Sequence, residues 1–529
     1  MESNSHPEVA EYDVLIVGCG PVGATLANCL RKFGHKVAIF DRDVDVFPVP
    51  RAMGFDDEAL RLFQALGVLD RIQGGDHSYQ FDSWTYDIRG RHLSTLNRDR
   101  LGEDLMMGRC GHYYMTICDQ PNVERILRDD FALEPKVDCY LGFEVLDVDG
   151  DQEQARLSAK CLQTEEQREF TAHYIVGCDG GRSLVRRALD VERIDLGYSE
   201  EYLVVDAYVD DENYFRTMVS DGAHFVFDPR HGGVVVKGLH GHVRFDKIRH
   251  PDVMRGSYES EDDFAEDAQA LIRRNGFDPE KFRVVRHAPY TFYAGMPSTW
   301  RSGRLFVAGD AAHQTPPWAG QGLNMGIRDA ANLSFKINLV LSGKASDKVL
   351  DTYDTERRPV SLETIKGAVA NGKRQQTSNP IAIAVRNVVF FLARKSRFVN
   401  RLLWKNIQRK PPYVDGLLGK THKSSGTMMT QPWVEDFRGD RQRLDDLVGL
   451  NFALLTTNSP TGPSVYRFVN ELDGVVLKLG KDFLDPDATL LKWFQTNKVQ
   501  AVLMRPDRYI FDAGQEGDAL CEALFEAIR

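Results

Sequence analysis

The chain has 529 residues, 42% of them hydrophobic, which is too long for one ordinary core and enough for two or three domains. Its 77 acidic and 66 basic residues give a net charge of −11, which excludes a general nucleic-acid binder and implies no polyanionic partner. The eight cysteines (Cys19, Cys29, Cys110, Cys118, Cys139, Cys161, Cys178 and Cys521) form no C-x-x-C pair, so neither a metal site nor a disulfide framework is expected and the compartment reads as reducing.

The first eleven residues are polar and acidic, unlike a signal peptide, so the expected location is the cytoplasm. From Asp13 to Asp41 the chain reads DVLIVGCGPVGATLANCLRKFGHKVAIFD. The apolar run Val14–Val17 predicts a central parallel strand. Gly18, Gly20 and Gly23 supply a tight turn, close backbone approach and close helix packing, and Pro21 and Val22 open the helix. A pyrophosphate would rest on that helix N-terminus, where free N–H groups and the dipole favour anions. Asp41, beside Arg42 at the end of the second strand, is placed to accept hydrogen bonds from ribose hydroxyls.

Further along, HYIVGCDGGRSLVRR predicts a strand running into Asp179 and Gly180 and then a helix. Residues 201–284 alternate or run apolar between Gly, Asp and Pro breaks, predicting a β-rich insert with strands at Tyr202–Val209, His224–Phe227, Gly233–Leu239 and His242–Phe245. GRLFVAGDAAH then predicts a strand ending at Gly309 and Asp310, followed by PPWAGQGLNMGIRDA, a proline-stiffened loop opening a helix. Asp310 would accept from a cofactor chain, and the N–H groups of Gly320, Gln321, Gly322, Leu323 and Asn324 could stabilise negative charge on a ring. Ile381–Trp404 carries too many Arg and Lys to span a membrane. It reads as a helix pair at a domain junction or, alternatively, an amphipathic surface helix touching lipid. Arg409–Gly449 reads as a wrapping linker. Asn451–Arg529 reads as a small thioredoxin-like α/β unit without a dithiol, whose last helix, Asp518–Ile528, offers an apolar face for a homodimer.

A glycine triplet, a central Asp-Gly and a late Gly-Asp, in this order, resemble the single-component flavoprotein aromatic hydroxylases of the p-hydroxybenzoate hydroxylase fold. PRAMGFDDEALR, PYTFYAGMPSTWRSGRLFVAGDAAH, PPWAGQGLNMGIRDAANL and QPWV are most similar to the 3-(3-hydroxyphenyl)propionate hydroxylase group. The resemblance covers most of the chain, departing around Thr315–Ala319 and loosely in the β-rich insert. It implies an α/β fold: a discontinuous FAD-binding domain (1–200 and 285–375), a β-rich substrate domain (201–284), a helical connector and linker (376–449), and a thioredoxin-like C-terminal domain (450–529). It also implies FAD as cofactor, Arg51 over the FAD, Gln120 on the flavin chain, and Pro317 over the ring near the oxygen-reacting carbon. NADPH or NADH would be a transient reductant, and O2 would reach a small aromatic substrate through a flavin C4a-hydroperoxide.

Hydroxylation of a phenol needs a group that helps the ring lose its proton and a site that excludes water. Candidates are His224, His240, His242, Arg244, Tyr290 and Tyr293, with His313 fixing the loop after Asp310. Three alternatives stand beside a simple phenol. One is a polycyclic, quinolone or natural-product substrate. Another is a halogenase, against which the lack of a W-x-W-x-I-P segment counts. The last is a non-catalytic binding protein, which would have no use for the loop Pro316–Arg328.

Overall fold

Residues 11–529 are described by the computed structural model, apart from 76–77, 88–90, 103–105, 108–109, 133, 151–152, 230–231, 249–260 and 408–409. The expectation for the N-terminus, up to residue 10, and that for Arg409 at the linker start lie outside the described residues. The apolar run after Asp13 is a strand, Tyr12–Val17, buried because both faces of a parallel sheet are covered. It pairs in parallel with Val37–Asp41 on one side and Gln167–Gly177 on the other. Val137–Leu141 and Leu305–Val307 extend the parallel set outward, and Ala155–Cys161 and Phe143–Gly150 add an antiparallel arm. Helices Pro21–Lys32 and Gly322–Leu341 pack on each other over this sheet. The turns carrying Gly18, Asp41, Asp179 and Gly309 therefore lie at the carboxyl ends of four neighbouring strands, where open parallel sheets bind ligands.

A second, seven-stranded sheet runs in the order Arg283–Pro297, Arg193–Tyr208, His242–Ile248, Gly233–Lys237, Gly222–Phe227, Ser83–Asp87, His92–Leu96. The expected insert 201–284 supplies only part of it. The sheet begins at Arg193, continues to Pro297, and takes two strands from the N-terminal segment by the parallel pairing of Gly222–Phe227 with Ser83–Asp87. That pairing joins residues far apart in sequence, so no local pattern announces it.

Lys348–Gln375 is a single long helix, followed by the pair Pro380–Lys395 and Arg397–Ile407. Among the described residues no helix is long and apolar enough to cross a membrane. The linker contains a short hairpin, Trp433–Glu435 with Arg441–Arg443, and helix Leu444–Val448. The last unit has four strands in the order Val475–Lys478, Ala453–Thr456, Ala501–Met504, Ile510–Gly514, the first two parallel and the rest antiparallel, as in a thioredoxin-like fold. Its final helix, Gly517–Ile528, buries Leu520, Leu524, Phe525 and Ile528 in a core shared with Phe335, Leu339 and Val349 of the preceding helices, so this apolar face is not open to a second copy.

Two buried ion pairs fasten the C-terminal third to the first sheet's helices. Arg61 meets both oxygens of Asp445 at 2.6 and 2.8 Å, and Arg505 meets Glu356 at 2.7 and 2.8 Å. Burial alone would raise the Glu356 carboxyl, but Arg505 and Lys336 outweigh it and hold the group down at about 2.

Candidate functional site

A cavity of about 2290 Å³ opens at the carboxyl ends of the parallel strands and is walled by both large sheets. Pockets for one small ligand hold about 300–1,000 Å³, so this cavity has room for an extended cofactor and a second molecule. Its nucleotide end is lined by Gly18, Gly20, Pro21, Val22, Asp41, Arg42, Asp179, Gly180, Gly309 and Asp310. Gly18 has φ +101°, and a Cβ there would lie 2.5 Å from the Cys178 carbonyl oxygen. A Cβ on Gly23 would lie 2.0 Å from the Gly18 oxygen, so Gly23 serves helix packing behind the cavity. Gly20 differs, since a Cβ there would meet nothing within 4 Å. With Pro21 opening the helix and no side chain capping it, the first-turn N–H groups are left for an anion.

Asp41 is fixed at the rim by the N–H groups of Cys19 at 2.7 Å and Asp43 at 3.0 Å. One Asp179 oxygen accepts from the Leu184 N–H at 2.6 Å, while the other, Oδ1, is buried without a partner. Burial raises the Asp179 carboxyl against the pull of Ser183 and the local N–H groups. Asp310 is likewise raised, by desolvation first, with His313, Arg51 and Arg186 opposing. Acceptors short of donors suit a hydroxyl-rich chain. A dinucleotide with a ribityl arm fits this donor and acceptor set.

The loop beyond Asp310 is held from behind. Asp329 accepts from the Gly309 N–H at 3.0 Å, from His313 Nε2 at 2.7 Å and from Arg357 Nε at 2.9 Å, all buried. His313 therefore fixes the loop, as its place after Gly-Asp suggested. Pro316, Pro317, Trp318, Gly320, Gln321, Gly322 and Leu323 line the cavity, and Trp318 Nε1 donates to the Tyr198 hydroxyl at 3.0 Å. The Asn324 side chain is not on this surface. It accepts from the Asp56 N–H at 2.9 Å and donates to the Gly320 carbonyl at 3.0 Å, a clamp behind the turn. Beneath this turn Arg328 pairs with Asp56 and, at 2.6 Å, with Glu58, and Lys410 reaches Asp57 at 2.5 Å and Glu58 at 3.1 Å. Burial raises the Glu58 carboxyl, yet Lys410 and Arg328 prevail and bring it to about 2. Sequence reasoning missed this cluster, although the Asp-Asp-Glu run opening helix Asp57–Leu66 was its visible half.

Gln120 is buried, its Oε1 accepting from the N–H groups of Arg51 at 2.9 Å and Ala52 at 2.5 Å and its amide donating to Glu124 at 2.6 Å. Both Gln120 and Arg51 line the cavity, and the Arg51 guanidinium lies 4.6 Å over the Phe47 ring.

The second sheet presents alternate residues to the cavity, as a pleated strand must. Phe225, Phe227, Val234, Val236, Tyr290 and Phe292 face it. Parity decides several candidates. His224 lies between Ala223 and Phe225 on the opposite face, bonded to the Ser220 carbonyl at 2.8 Å and beside the Trp84 and Tyr86 rings of the neighbouring strand. Desolvation lowers its pKa. Tyr293 follows the cavity-facing Phe292 and turns outward against Arg193. His240 sits in the turn before His242–Ile248 with φ +52°, off the cavity lining. His242 is buried beyond the cavity's end, with Nε2 3.0 Å from Asp206 Oδ1. His224, His240, His242 and Tyr293 are therefore not brought to the cavity.

Arg244 and Tyr290 are brought there. Arg244 donates to Asp246 at 2.8 Å and to the carbonyls of Pro50 and Arg51 at 3.1 and 2.9 Å, tying the Arg51 segment to the sheet. Asp246 and Arg286 join them on the lining and were missed, although their even spacing from Arg244 and Tyr290 was the available signal. Desolvation raises the Tyr290 hydroxyl, Asp310 adds to the rise, and Arg51 and Arg286 oppose it.

The FAD binding domain family matches residues 11–368, and the HcaD C-terminal domain matches residues 426–527. A 3-(3-hydroxy-phenyl)propionate/3-hydroxycinnamic acid hydroxylase of Mycolicibacterium gilvum (strain PYR-GCK) is 31% identical, with 99% of this chain and 93% of the relative covered. A protein of the same name from Mycobacterium sp. (strain JLS) is 32% identical over 98% and 92%. Among solved structures, the flavin-dependent monooxygenase PieE superposes with TM-score 0.80 at 20% identity, covering 99% of this chain and 100% of that one. Aklavinone-11 hydroxylase superposes with TM-score 0.78 at 21% identity, covering 98% and 99%. These structural likenesses carry the fold, and the sequence matches carry the kinship. The chain belongs to the family of FAD-dependent aromatic hydroxylases.

Proposed function

We propose that this enzyme uses FAD, NAD(P)H and O2 to hydroxylate a phenol of the 3-(3-hydroxyphenyl)propionate type. FAD, reduced by the nicotinamide, supplies the activated oxygen. Gly18, Gly20, Pro21 and Val22 would hold its pyrophosphate, Asp41 and Arg42 the adenosine end, and Asp179, Gly180, Gly309 and Asp310 the ribityl chain. Pro317, Gly320, Gly322 and Leu323, with the Asn324 N–H, would face the ring. Arg51, steadied by Arg244 and Gln120, would close over it. Eight cysteines free of disulfides and a need for NAD(P)H support a cytoplasmic setting.

One observation carries the substrate reading: the cavity-facing residues Phe225, Phe227, Val234 and Val236 make an apolar wall, and Phe292, Tyr290 and Arg286 line the cavity from the edge strand of the same sheet, across the Arg244–Asp246 pair. The apolar walls hold the ring and exclude water. With its pKa raised, Tyr290 stays protonated and donates a hydrogen bond to the phenolate oxygen, favouring the electron-rich form of the ring. Arg286, 5.6 Å from the Phe47 ring, supplies positive charge for a side-chain carboxylate or the phenolate. A second reading, a polycyclic or natural-product substrate, draws on the cavity's size and its extension to Val385, Val389 and Phe390 of the helix after Pro380.

The test is NADPH and NADH oxidation by the FAD-loaded enzyme, with peroxide counted, across 3-(3-hydroxyphenyl)propionate, resorcinol and a hydroxyquinoline. Strong stimulation by the propionate with little peroxide is expected. Tyr290→Phe should lower hydroxylation by roughly 10²-fold, in the range for a positioned proton donor. Stimulation by the bicyclic compound alone would overturn the simple-phenol reading.

A further inference from the structure

We propose that the outer face of the helix pair Pro380–Lys395 and Arg397–Ile407 docks on an anionic lipid surface. In the first of these helices Ala393 is the one buried side chain, although the sequence PIAIAVRNVVFFLARK is mostly apolar. Ile381, Val385, Val388 and Leu392 repeat at helical spacing along one face, and Ile381 is 74% exposed. Phe391 beside them, and Phe398 and Leu402 on the next helix, continue the exposed apolar surface, with Phe398 at 75%. Single exposed apolar residues are ordinary, but six large ones outside the cavity lining on two consecutive helices mark a surface that is covered in use.

Charge decides what covers it. Residues 364–414 contain eleven Lys and Arg and no Asp or Glu, in a chain whose net charge is −11. Lys395 and Arg397 stand exposed beside the apolar run, next to Arg394, which also donates to the His92 carbonyl, and Lys373 and Arg374 are exposed at the cavity. A symmetric contact with a second copy would set this basic surface against itself, at a cost in like-charge repulsion. An anionic bilayer meets both requirements at once, taking the apolar side chains into the headgroup boundary and pairing the rim cations with lipid phosphates. The adjoining side of the first helix is already occupied: Val385, at the border of the two faces, lines the cavity with Arg386, Val389 and Phe390, and the Arg386 guanidinium lies 4.9 Å over Phe227 of the second sheet. One helix thus separates the cavity from the docking face, which sets the entrance for apolar substrates beside the lipid.

The experiment is co-sedimentation of the full-length, FAD-loaded protein with vesicles of phosphatidylcholine alone or mixed with phosphatidylglycerol. Binding is expected on the mixed vesicles at low salt and should be lost near 1 M salt, where the screening length is about 3 Å. Reversing two exposed charges, Lys395→Glu with Arg397→Glu, should weaken it by at least about tenfold. Phe398→Ser should weaken it as well, with bound flavin and circular dichroism unchanged. The salt series on the unaltered protein needs no variant. No sedimentation at low salt, equal binding to neutral vesicles, or indifference to these substitutions would overturn the proposal. So would light scattering that shows a dimer which the same substitutions convert to monomer, because the face would then belong to a second copy.

Discussion

Gly20 and Gly18 are two residues apart in one turn, yet adding a methyl group to each should do opposite things. At Gly20 the backbone angles, φ −74° and ψ −174°, are ones alanine adopts readily, and its Cβ would meet no atom within 4 Å. Flavin-free Gly20→Ala should therefore be as stable as the parent, or firmer by about 0.4–1 kcal/mol through the restricted unfolded chain. The added methyl would occupy the space in front of the helix N-terminus that a pyrophosphate needs. Losing one charge-assisted hydrogen bond there costs about 1.5–3 kcal/mol, equivalent to roughly 10- to 150-fold weaker FAD binding. Gly18→Ala meets a positive φ and a carbonyl oxygen 2.5 Å away, so it should destabilise the flavin-free fold by about 1–2 kcal/mol from the backbone alone, with the clash added. Urea unfolding of the apoproteins and FAD titration by flavin fluorescence separate the two effects. Unchanged FAD affinity in Gly20→Ala would refute the placement of the pyrophosphate. A loss of apoprotein stability matching that of Gly18→Ala would refute the open space in front of this helix.

Glu356→Gln should lower the unfolding free energy by about 3–5 kcal/mol, because it leaves Arg505 and Lys336 buried beside a neutral amide, and the urea midpoint would report it. The parent's acid sensitivity carries the same signature. A carboxyl held near 2 in the folded protein, against an ordinary value of 4.5, contributes stability that is full above about 4.5 and lost as the pH falls through 2. The variant should show a shallower loss over that window. His224→Gln should leave the pH profile of hydroxylation in place, since His224 is stacked away from the cavity; a displaced profile would return it to the list of proton carriers.

The strand, glycine turn and helix from Tyr12 to Lys32 were legible because each needs only local chemistry: an apolar run, residues that permit a positive φ, and a proline at the helix start. The strand–Gly-Asp–loop unit around Gly309 was legible for the same reason. The second sheet was readable as β structure but not in its membership, because Ser83–Asp87 and His92–Leu96 join it through a long-range parallel pairing. Facing was the other weakness. Knowing that His224 and Tyr293 lie in strands does not say which face turns inward. One residue of register decides that, and the register is set by neighbours elsewhere in the chain. The ion cluster of Asp56, Asp57, Glu58, Arg328 and Lys410 was hidden for a related reason, as its cations lie some 270 and 350 residues from its acids.

Among the described residues the two longest strands, Arg193–Tyr208 and Arg283–Pro297, run side by side past both the loop after Asp310 and the cavity wall. Near one end, Gly295 exchanges backbone hydrogen bonds with Gln314 of the loop at 3.1 and 2.9 Å, while Tyr290 and Phe292 of the same strand line the cavity. Loop and wall are therefore one continuous ruler rather than two parts meeting at a hinge. A bulkier substrate cannot be admitted by swinging the sheet away without dragging the loop along. Changes in specificity along this lineage are expected in cavity-facing side chains and in the helices opposite, with the distance between ring and cofactor left as it is.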